Sequence, residues 1–341
     1  AILLSSLGFK ANAQDPNYSQ FLNNPLYYNP AYAGISQGFK ARFDFRKQYP
    51  NLKNDYQTYN FNTDLSIREF PGSGGLGLIF NKDKAGAGYL ETTTAGLFTS
   101  VRIRVAQNVL TQVGVLSSYV QKYVDWNKFV FTDELDPRFG NIYDSQFIPP
   151  GGNTISYPDF NIGTVIRFAQ TTYNNTNIVG TIGLAAHHVF EPNETFFDYN
   201  SKLPRKYVVH ADIIFESDAA TSHRNLTGRA TNINKQKFNP GIYYQKQGDL
   251  FETFSFGMNA YYKSLYGGLW YRNSTFSFNN SEAIIVSMGI NALFNEVSRM
   301  KLVYSYDLVL NNDLLGTGGA HEISILIELD EFSLFGNKSG W

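Results

Sequence analysis

The sequence predicts an all-β protein, an antiparallel transmembrane β-barrel of about 14 strands with an N-terminal plug segment. Three observations carry this prediction. The 341 residues include 23 Tyr, 28 Phe and 29 Gly and no Cys, a composition that favours strands and turns over helices. Apolar and polar residues alternate with a period of two over long stretches. Predicted connections are short on one side and long on the other, as in outer-membrane barrels.

The alternation is clearest in the first predicted strand, where Phe39, Ala41, Phe43 and Phe45 form one face. The opposite face is entirely charged. Alternation alone does not separate a barrel from a soluble sandwich, since a sandwich also alternates with its apolar face inward. In a barrel, the charged residues of this strand and the next would form a polar ladder in the lumen, consisting of Lys40, Arg42, Asp44, Arg46, Asp64 and Arg68.

The lengths of the strands and connections favour the barrel. Many predicted strands have ten or more residues, the length that a tilted strand needs to cross a membrane. The second, fourth, sixth, tenth and twelfth connections have about eight residues or fewer. The fifth (127–156) and seventh (189–204) are long, and 216–236 is long where a short turn is expected. The predicted strands are 38–48, 56–69, 74–82, 90–105, 109–126, 157–169, 177–188, 205–215, 237–247, 251–262, 266–272, 282–294, 300–309 and 320–331.

Aromatic residues near the strand ends support the same interpretation. Tyr and Trp prefer the interface between lipid and water, where an apolar ring meets a polar tip. The alternative is that these rings belong to an ordinary soluble core. The residues expected at the interface are Tyr56, Tyr59, Tyr89, Tyr119, Tyr123, Trp126, Tyr157, Tyr262, Tyr266, Trp270 and Tyr271.

The two ends of the chain are expected to differ from the barrel, which is assigned to 38–331. Residues 1–13 resemble the end of a secretory signal peptide, and cleavage after Ala13 would leave Gln14 as the first residue. The alternative is an ordinary short apolar segment. Residues 332–341 are assigned to a C-terminal tail. No run of 18 or more apolar residues occurs, so no transmembrane helix is predicted.

The stretch NNPLYYNPAYAG at 23–34 is predicted to form two helical turns. Asn before Pro favours a helix start, once at Asn24-Pro25 and again at Asn29-Pro30, and Gly34 supplies a left-handed stop. So compact an apolar segment needs a surface to pack on, and a wide barrel offers its lumen. Residues 14–37 are therefore predicted to be a plug, and the alternative is a flexible periplasmic leader. The plug residues are Asn24, Pro25, Tyr27, Tyr28, Asn29, Pro30, Ala31, Tyr32 and Gly34.

Several chemistries are disfavoured. The net charge of −1 and the lack of basic runs argue against nucleic acid as a partner. The absence of Cys excludes disulfides and thiolate metal sites. Residues 72–77 fit the pattern G-x-G-x-x-G, but they lead into a strand rather than a helix, which argues against a nucleotide site. Asp133, Glu134 and Asp136 are interpreted as a solvated acidic loop in preference to a calcium site.

The histidines do not form a recognisable catalytic or metal site. His187 and His188 are adjacent in a strand and are expected to point to opposite faces, so they cannot easily share a metal. His210 and Asp212 share one face with Lys206, as half of a membrane-hydrolase dyad would. A nucleophile such as Ser255 cannot be paired with them from sequence. A hydrogen-bond network in the lumen is favoured, and neither an enzyme nor a cofactor is predicted.

The opening sequence QDPNYSQFLNNPLYYNPAYAG resembles the start of the PorP/SprF family of type IX secretion system outer-membrane proteins. Later stretches in the expected order support the resemblance. The Asn29-Pro30-Ala31 piece is also similar to the hatch motif of the FadL-type barrels, a wider superfamily. The supporting stretches are 75–78, 81–86, 158–163, 304–307 and 319–323.

The resemblance implies a non-enzymatic barrel in the Gram-negative outer membrane. The connection lengths predict long loops outside the cell and both termini in the periplasm. The resemblance also implies binding of a secreted protein or adhesin through its C-terminal type IX signal domain, in support of secretion, surface anchoring or gliding motility. Periplasmic motor components and peptidoglycan-binding lipoproteins are further implied partners, together with membrane lipid. The alternative is a FadL-like or porin-type transport channel, which the charged ladder would suit as a polar pore.

Overall fold

The computed structural model describes residues 15–52, 55–68, 72–86, 90–136, 138–149, 152–172, 176–197, 199–217, 236–249, 251–274, 281–295, 297–311, 314–330 and 332. The predicted signal-peptide remnant at 1–13 and its cleavage site lie outside these residues. So do Tyr89, nearly all of the connection at 216–236 and all but the first residue of the predicted tail.

Fourteen of the described strands form one closed antiparallel barrel, which confirms the predicted barrel of about 14 strands. Sequential neighbours pair around the wall, and the first and last strands close it, from Phe39 opposite Leu329 to Gln48 opposite Ala320. The barrel strands are β1 (Phe39–Gln48), β2 (Tyr56–Ser66), β3 (Ser73–Ala85), β4 (Leu90–Ala106), β5 (Val109–Val124), β8 (Thr154–Thr171), β9 (Asn177–His187), β10 (Lys206–Glu216), β11 (Lys237–Gln247), β12 (Phe251–Tyr262), β13 (Leu265–Asn273), β14 (Ser281–Asn295), β15 (Ser298–Val309) and β16 (Ala320–Leu329).

The other described elements are short. β6 (Leu135–Asp136) and β7 (Gly140–Asn141) form a hairpin between β5 and β8. The one α-helix within the described ranges, α1 (Pro25–Tyr28), precedes a 3₁₀ turn at Pro30–Tyr32, and two more 3₁₀ turns lie at Trp126–Lys128 and Thr132–Glu134. In the part of the chain that the structure describes, every helix is too short or too polar to cross a membrane.

The alternation places apolar side chains on the outside of the wall and polar side chains inside. In β1, Arg42 and Asp44 are buried, while Phe43 between them is 38% exposed. In β9, Thr181 is buried, while Ile182 is 49% exposed. This is the reverse of a soluble protein and is the pattern of a barrel whose outer face meets lipid.

The connections differ between the two ends of the barrel. One end, here named the long-loop end, carries 125–153 and 188–205. The opposite end, named the short-turn end, carries the tight connections 67–72, 107–108, 172–176, 263–264 and 296–297, and also 217–236. The predicted asymmetry in length is therefore present.

Three of the aromatic residues predicted at the lipid interface face the lumen instead. Tyr157, Tyr266 and Trp270 are 4–6% exposed and belong to the interior. Tyr119 and Tyr262 do lie on the outside, at 58% and 54% exposure. Residue type at a strand end does not distinguish the two faces, because Tyr and Trp also pack well against an aromatic segment inside.

Candidate functional site

The segment at 15–37 packs against the inward faces of the strands. Its 3₁₀ turn contacts β4, β5 and β8. Leu26, Ala31 and Ala33 are fully buried and share an apolar cluster with Phe98 of β4 and Val165 of β8. Buried apolar area of this kind is the main source of stability for a segment with so few backbone hydrogen bonds of its own.

The local structure of the segment follows its two Asn-Pro pairs, with one correction. Asn29 acts as the predicted cap, because its Oδ1 accepts from the Ala31 N–H at 3.0 Å. Asn24 was predicted to cap α1 and makes no such bond. Its amide instead donates to Asp44 at 2.7 Å and accepts from Asn62 at 2.7 Å. The prediction failed because a charged and an amide partner on the wall compete for the side chain.

Gly34 ends the two turns in the left-handed conformation that was predicted, with φ of +66°. Its backbone also lies close to β3, since a Cβ atom at this position would come within 2.6 Å of the Gly75 Cα. Both features require glycine. The Gly34 N–H donates to Asp64 at 2.9 Å, which fixes the end of the segment to β2.

A second cluster of the segment is aromatic. Phe21 stacks on Tyr243 at 4.8 Å between ring centroids and meets Trp270 edge-on at 5.0 Å. Tyr28 meets Tyr243 edge-on at 5.1 Å. Such pairs add to the stabilisation from burial. Tyr18 and Phe21 were not singled out from sequence, although QDPNYSQF is as aromatic as the stretch that was.

Most of the charged ladder is buried, and Lys40, Arg42, Arg46 and Asp64 form ion pairs. Lys40 meets Glu328 at 2.5 Å, Arg42 meets Asp64 at 2.6 Å, and Arg46 meets Asp307 at 2.9 Å. Arg68 lies apart from these pairs at the short-turn end, where its Nε donates to Ser66 Oγ at 3.2 Å. Buried charges must be paired because desolvation is costly.

The segment takes part in this charged network. The Ser19 N–H donates to Glu322 at 2.6 Å, and Ser19 Oγ donates to Asp307 at 2.5 Å. Asn23 accepts from Lys301 at 2.6 Å. The segment is therefore held by polar contacts with β15 and β16 as well as by apolar packing.

The start of the described segment is tied to the wall near the long-loop end by a group of charges. Asp15 contacts His188 Nε2 at 2.9 Å and pairs with Lys206, and His188 Nδ1 contacts Asp159 at 3.0 Å. Burial opposes ionisation of Asp15, but Lys206 and His188 hold the pKa of this carboxyl well below its usual value. Burial favours the neutral ring of His188, but Asp15 and Asp159 raise its pKa to about 9. Sequence reasoning missed this group.

The two adjacent histidines both face the interior, contrary to the prediction of opposite faces. His187 and His188 are 4% and 7% exposed. The strand ends at His187, and His188 has a left-handed backbone with φ of +55°, which breaks the alternation. His187 Nε2 contacts the Tyr28 carbonyl oxygen at 2.9 Å. Among the described residues, no group of three His, Asp or Glu side chains is placed to hold a metal.

The interior contains His210, Asp212 and Lys206, as predicted. All three side chains are buried. His210 Nε2 lies 3.4 Å from Asn29 Nδ2, and its ring stacks on Tyr32. His210 and Ser255 flank Tyr243 in the register, so about 10 Å of sheet separates them. At this distance the His210 ring does not contact the Ser255 hydroxyl.

The acidic loop uses its carboxylates to shape itself. Asp133 accepts from Ser145 Oγ at 3.0 Å and from the Gln146 N–H at 2.6 Å. Asp136 accepts from the Arg138 N–H at 2.7 Å and the Phe139 N–H at 3.0 Å. These bonds explain the residue types without a bound cation.

A cavity of about 100 Å³ lies beside the start of the segment. It is lined by Asp15 and Tyr27 of the segment, by Asp83 of β3 and Asp159 of β8, and by His188. The cavity borders the segment on one side and the barrel wall on the other.

Comparison with known protein families gives a match over nearly the whole chain. The family model of the type IX secretion system membrane protein PorP/SprF matches residues 10–327. A comparison with curated proteins gives no match.

Among solved structures, the chain is similar to outer-membrane barrels at low identity. A FadL homologue from Pseudomonas aeruginosa is 11% identical, with 90% of this chain and 94% of that chain covered and a TM-score of 0.45. The toluene transporter TbuX from Ralstonia pickettii is 8% identical, with 89% and 92% covered and a TM-score of 0.46. A TodX deltaS2S3 mutant, a monoaromatic hydrocarbon channel, is 10% identical, with 91% and 94% covered and a TM-score of 0.47.

The family match includes both the segment inside the lumen and nearly all of the barrel wall. The protein is an outer-membrane β-barrel. The chain belongs to the PorP/SprF family of type IX secretion system membrane proteins.

Proposed function

We propose that this barrel binds a secreted cell-surface protein through that protein's C-terminal signal domain and assists its secretion or surface anchoring. It does so without catalysis, as a component of the type IX secretion and gliding motility system. Residues 14–37 act as a plug that keeps the lumen closed, with the ladder residues as its charged support. The long loops face outside the cell, and both termini face the periplasm, where motor components or peptidoglycan-binding lipoproteins are further partners.

The observation that carries the proposal is a set of exposed apolar side chains at the long-loop end. Phe139 is 69% exposed, Ile148 is 87% exposed and Phe190 is 74% exposed. The two long connections meet at Trp126, whose ring packs near Phe197 at 6.0 Å between centroids. Large apolar side chains exposed on the connections at one end of a barrel are a feature of surfaces that bind proteins.

The occupied lumen favours a binding role over free diffusion. Leu26 and Ala31 of the segment are fully buried, and its polar groups bond to buried charges such as Asp64 and Glu322. Displacing the segment would expose apolar area and remove hydrogen bonds from those buried carboxylates, both of which are costly.

Capture of the partner tests the proposal. The barrel is purified from its own cells in mild detergent after crosslinking, and co-purified proteins are identified by mass spectrometry. We expect a large secreted protein with a type IX signal domain, and we expect Phe139→Asp with Ile148→Asp to abolish its recovery. Leu315→Asp is the matched control, because Leu315 is 60% exposed on another connection at the same end. Recovery of the barrel alone from wild-type cells would contradict the proposal.

A transport channel is the second candidate, supported by the cavity beside the segment. Conductance in planar bilayers separates the two. A closed wild-type barrel that conducts only after deletion of 14–37 supports the plug. A steady wild-type current supports transport.

The orientation has its own test, because the chain contains no Cys. Ser145→Cys lies in a long connection, and Lys263→Cys lies in a turn at the short-turn end. An impermeant maleimide applied to intact cells should label the first and spare the second. Labelling of Lys263→Cys alone would reverse the orientation.

A further inference from the structure

Arginine side chains lie on the inner side of the wall at the short-turn end. Arg104 of β4 and Arg167 of β8 both lie opposite Leu110 of β5 in the register. Residues directly opposite each other on adjacent strands share a face. Leu110 is 3% exposed and belongs to the apolar cluster around residues 26–35. Arg104 and Arg167 therefore lie on the lumen side.

Arg102 lies two residues deeper on the same face. It is opposite the fully buried Gln112, and its Nε donates to Gln112 Oε1 at 3.2 Å. Its Nη2 donates to the Gly34 carbonyl oxygen. Arg68 and Arg102 both donate to Ser66 Oγ, at 3.2 and 3.5 Å. These two guanidinium groups are therefore neighbours beneath the end of the N-terminal segment.

The four charges are close enough to act on one another. Arg68, Arg167 and Arg104 all exert a repulsive effect on Arg102. The described hydrogen-bond acceptors of Arg102 are neutral oxygens, which do not offset its charge. Asp212 is a carboxylate that acts on Arg167. An anion placed among these groups would relieve the repulsion.

We propose that Arg68, Arg102, Arg104 and Arg167 form a binding site for an acidic segment of a protein that enters the barrel from the short-turn end. Guanidinium groups pair with carboxylates through two parallel N–H donors. Arg104 is exposed at the mouth, so the site can be reached from outside the barrel.

The spacing of the site fits several carboxylates better than a single ion. Arg104 and Arg167 stand on either side of β5, two strand spacings or about 10 Å apart. Arg102 lies about 6.6 Å further along the strand. One phosphate spans part of this area, whereas an extended chain with several Asp or Glu residues spans all of it. This inference does not depend on the docking of a secreted protein at the long-loop end, and the two assays fail independently.

Fluorescence anisotropy with the full-length barrel in detergent tests the site. The probe is a dye-labelled peptide of alternating Glu and Ser, and a peptide of alternating Gln and Ser is the control. Arg104→Glu is the test variant, since Arg104 is exposed at the mouth. Arg104→Lys keeps the charge. Lys263→Glu makes the same change of charge at an exposed position of the β12–β13 turn at the same end.

We expect the acidic peptide to bind at low salt, the Gln peptide not to bind, and inorganic phosphate to compete only weakly. Arg104→Glu should weaken binding about tenfold, the equivalent of about 1.4 kcal/mol. Arg104→Lys and Lys263→Glu should each stay within about twofold of wild type. Equal losses for Arg104→Glu and Lys263→Glu would overturn the proposal by showing a general charge effect. Binding of phosphate without binding of the peptide would also overturn it, by showing a site for a small anion only.

Discussion

Raising the pH from about 6 to about 10 is predicted to loosen the N-terminal segment, because His188 loses its proton in that range. Burial alone would lower the pKa of His188, but Asp15 and Asp159 raise it from 6.5 to about 9. Lys206 and His187 also face this group. A raised pKa stabilises the folded state fully below the unfolded value and loses that effect as the pH rises through the folded value. At about 1.4 kcal/mol per pKa unit, the contribution is roughly 3 kcal/mol.

Tryptophan fluorescence provides the assay. Trp270 meets Phe21 of the segment at 5.0 Å, so its emission reports release of the segment. The chain has three Trp residues, and Trp126→Phe with Trp341→Phe leaves Trp270 as the probe. Denaturant titrations in micelles are compared with those of His188→Gln in the same background. Wild type should lose stability between about pH 6.5 and 9, and the variant should lose less. Parallel pH profiles for the two proteins would refute the reasoning.

Two further predictions concern packing of the segment. Leu26→Ala should lower the free energy of unfolding by about 2–5 kcal/mol because the side chain is fully buried. Leu78→Ala, on an outward position that is 57% exposed, should lower it much less in the same titration, and equal losses would contradict the packing. Gly34→Ala should cost more than the roughly 1–2 kcal/mol of left-handed strain, since its Cβ would also lie 2.6 Å from the Gly75 Cα. Gly86→Ala, with φ of +63° and open space around it, isolates the strain alone, and an equal loss there would exclude the clash.

The positions of the strands were predictable because each strand separates lipid from lumen along its whole length. Phe43 and Arg42 must lie on opposite faces whatever their neighbours are, so period-two alternation is visible in the sequence. The lengths of the predicted connections then indicated at which end of the barrel each connection lies. The prediction of fourteen strands needed no knowledge of contacts distant in sequence.

The site was only partly predictable. The two turns of the segment and Gly34 follow from local capping and backbone preferences, which act over a few residues. Asn24 departs from its predicted role because Asp44 and Asn62 lie beside it in space. His188 faces the interior like His187, and not the opposite face as predicted, because the strand ends one residue before it. Both outcomes depend on what surrounds the residue rather than on its neighbours in sequence.

The sequence by itself determined which face of a regularly alternating strand meets lipid, how many strands cross, and that residues 23–34 form compact turns, because these properties are set by local periodicity and by Pro and Gly. Only the tertiary structure decided which charges meet. Asp15 and His188 are separated by 173 residues in the chain, and Arg104 and Arg167 become neighbours only through their common partner Leu110 in β5. Pairing of this kind depends on barrel closure and register, which bring together strands whose side chains carry no local mark of their partners.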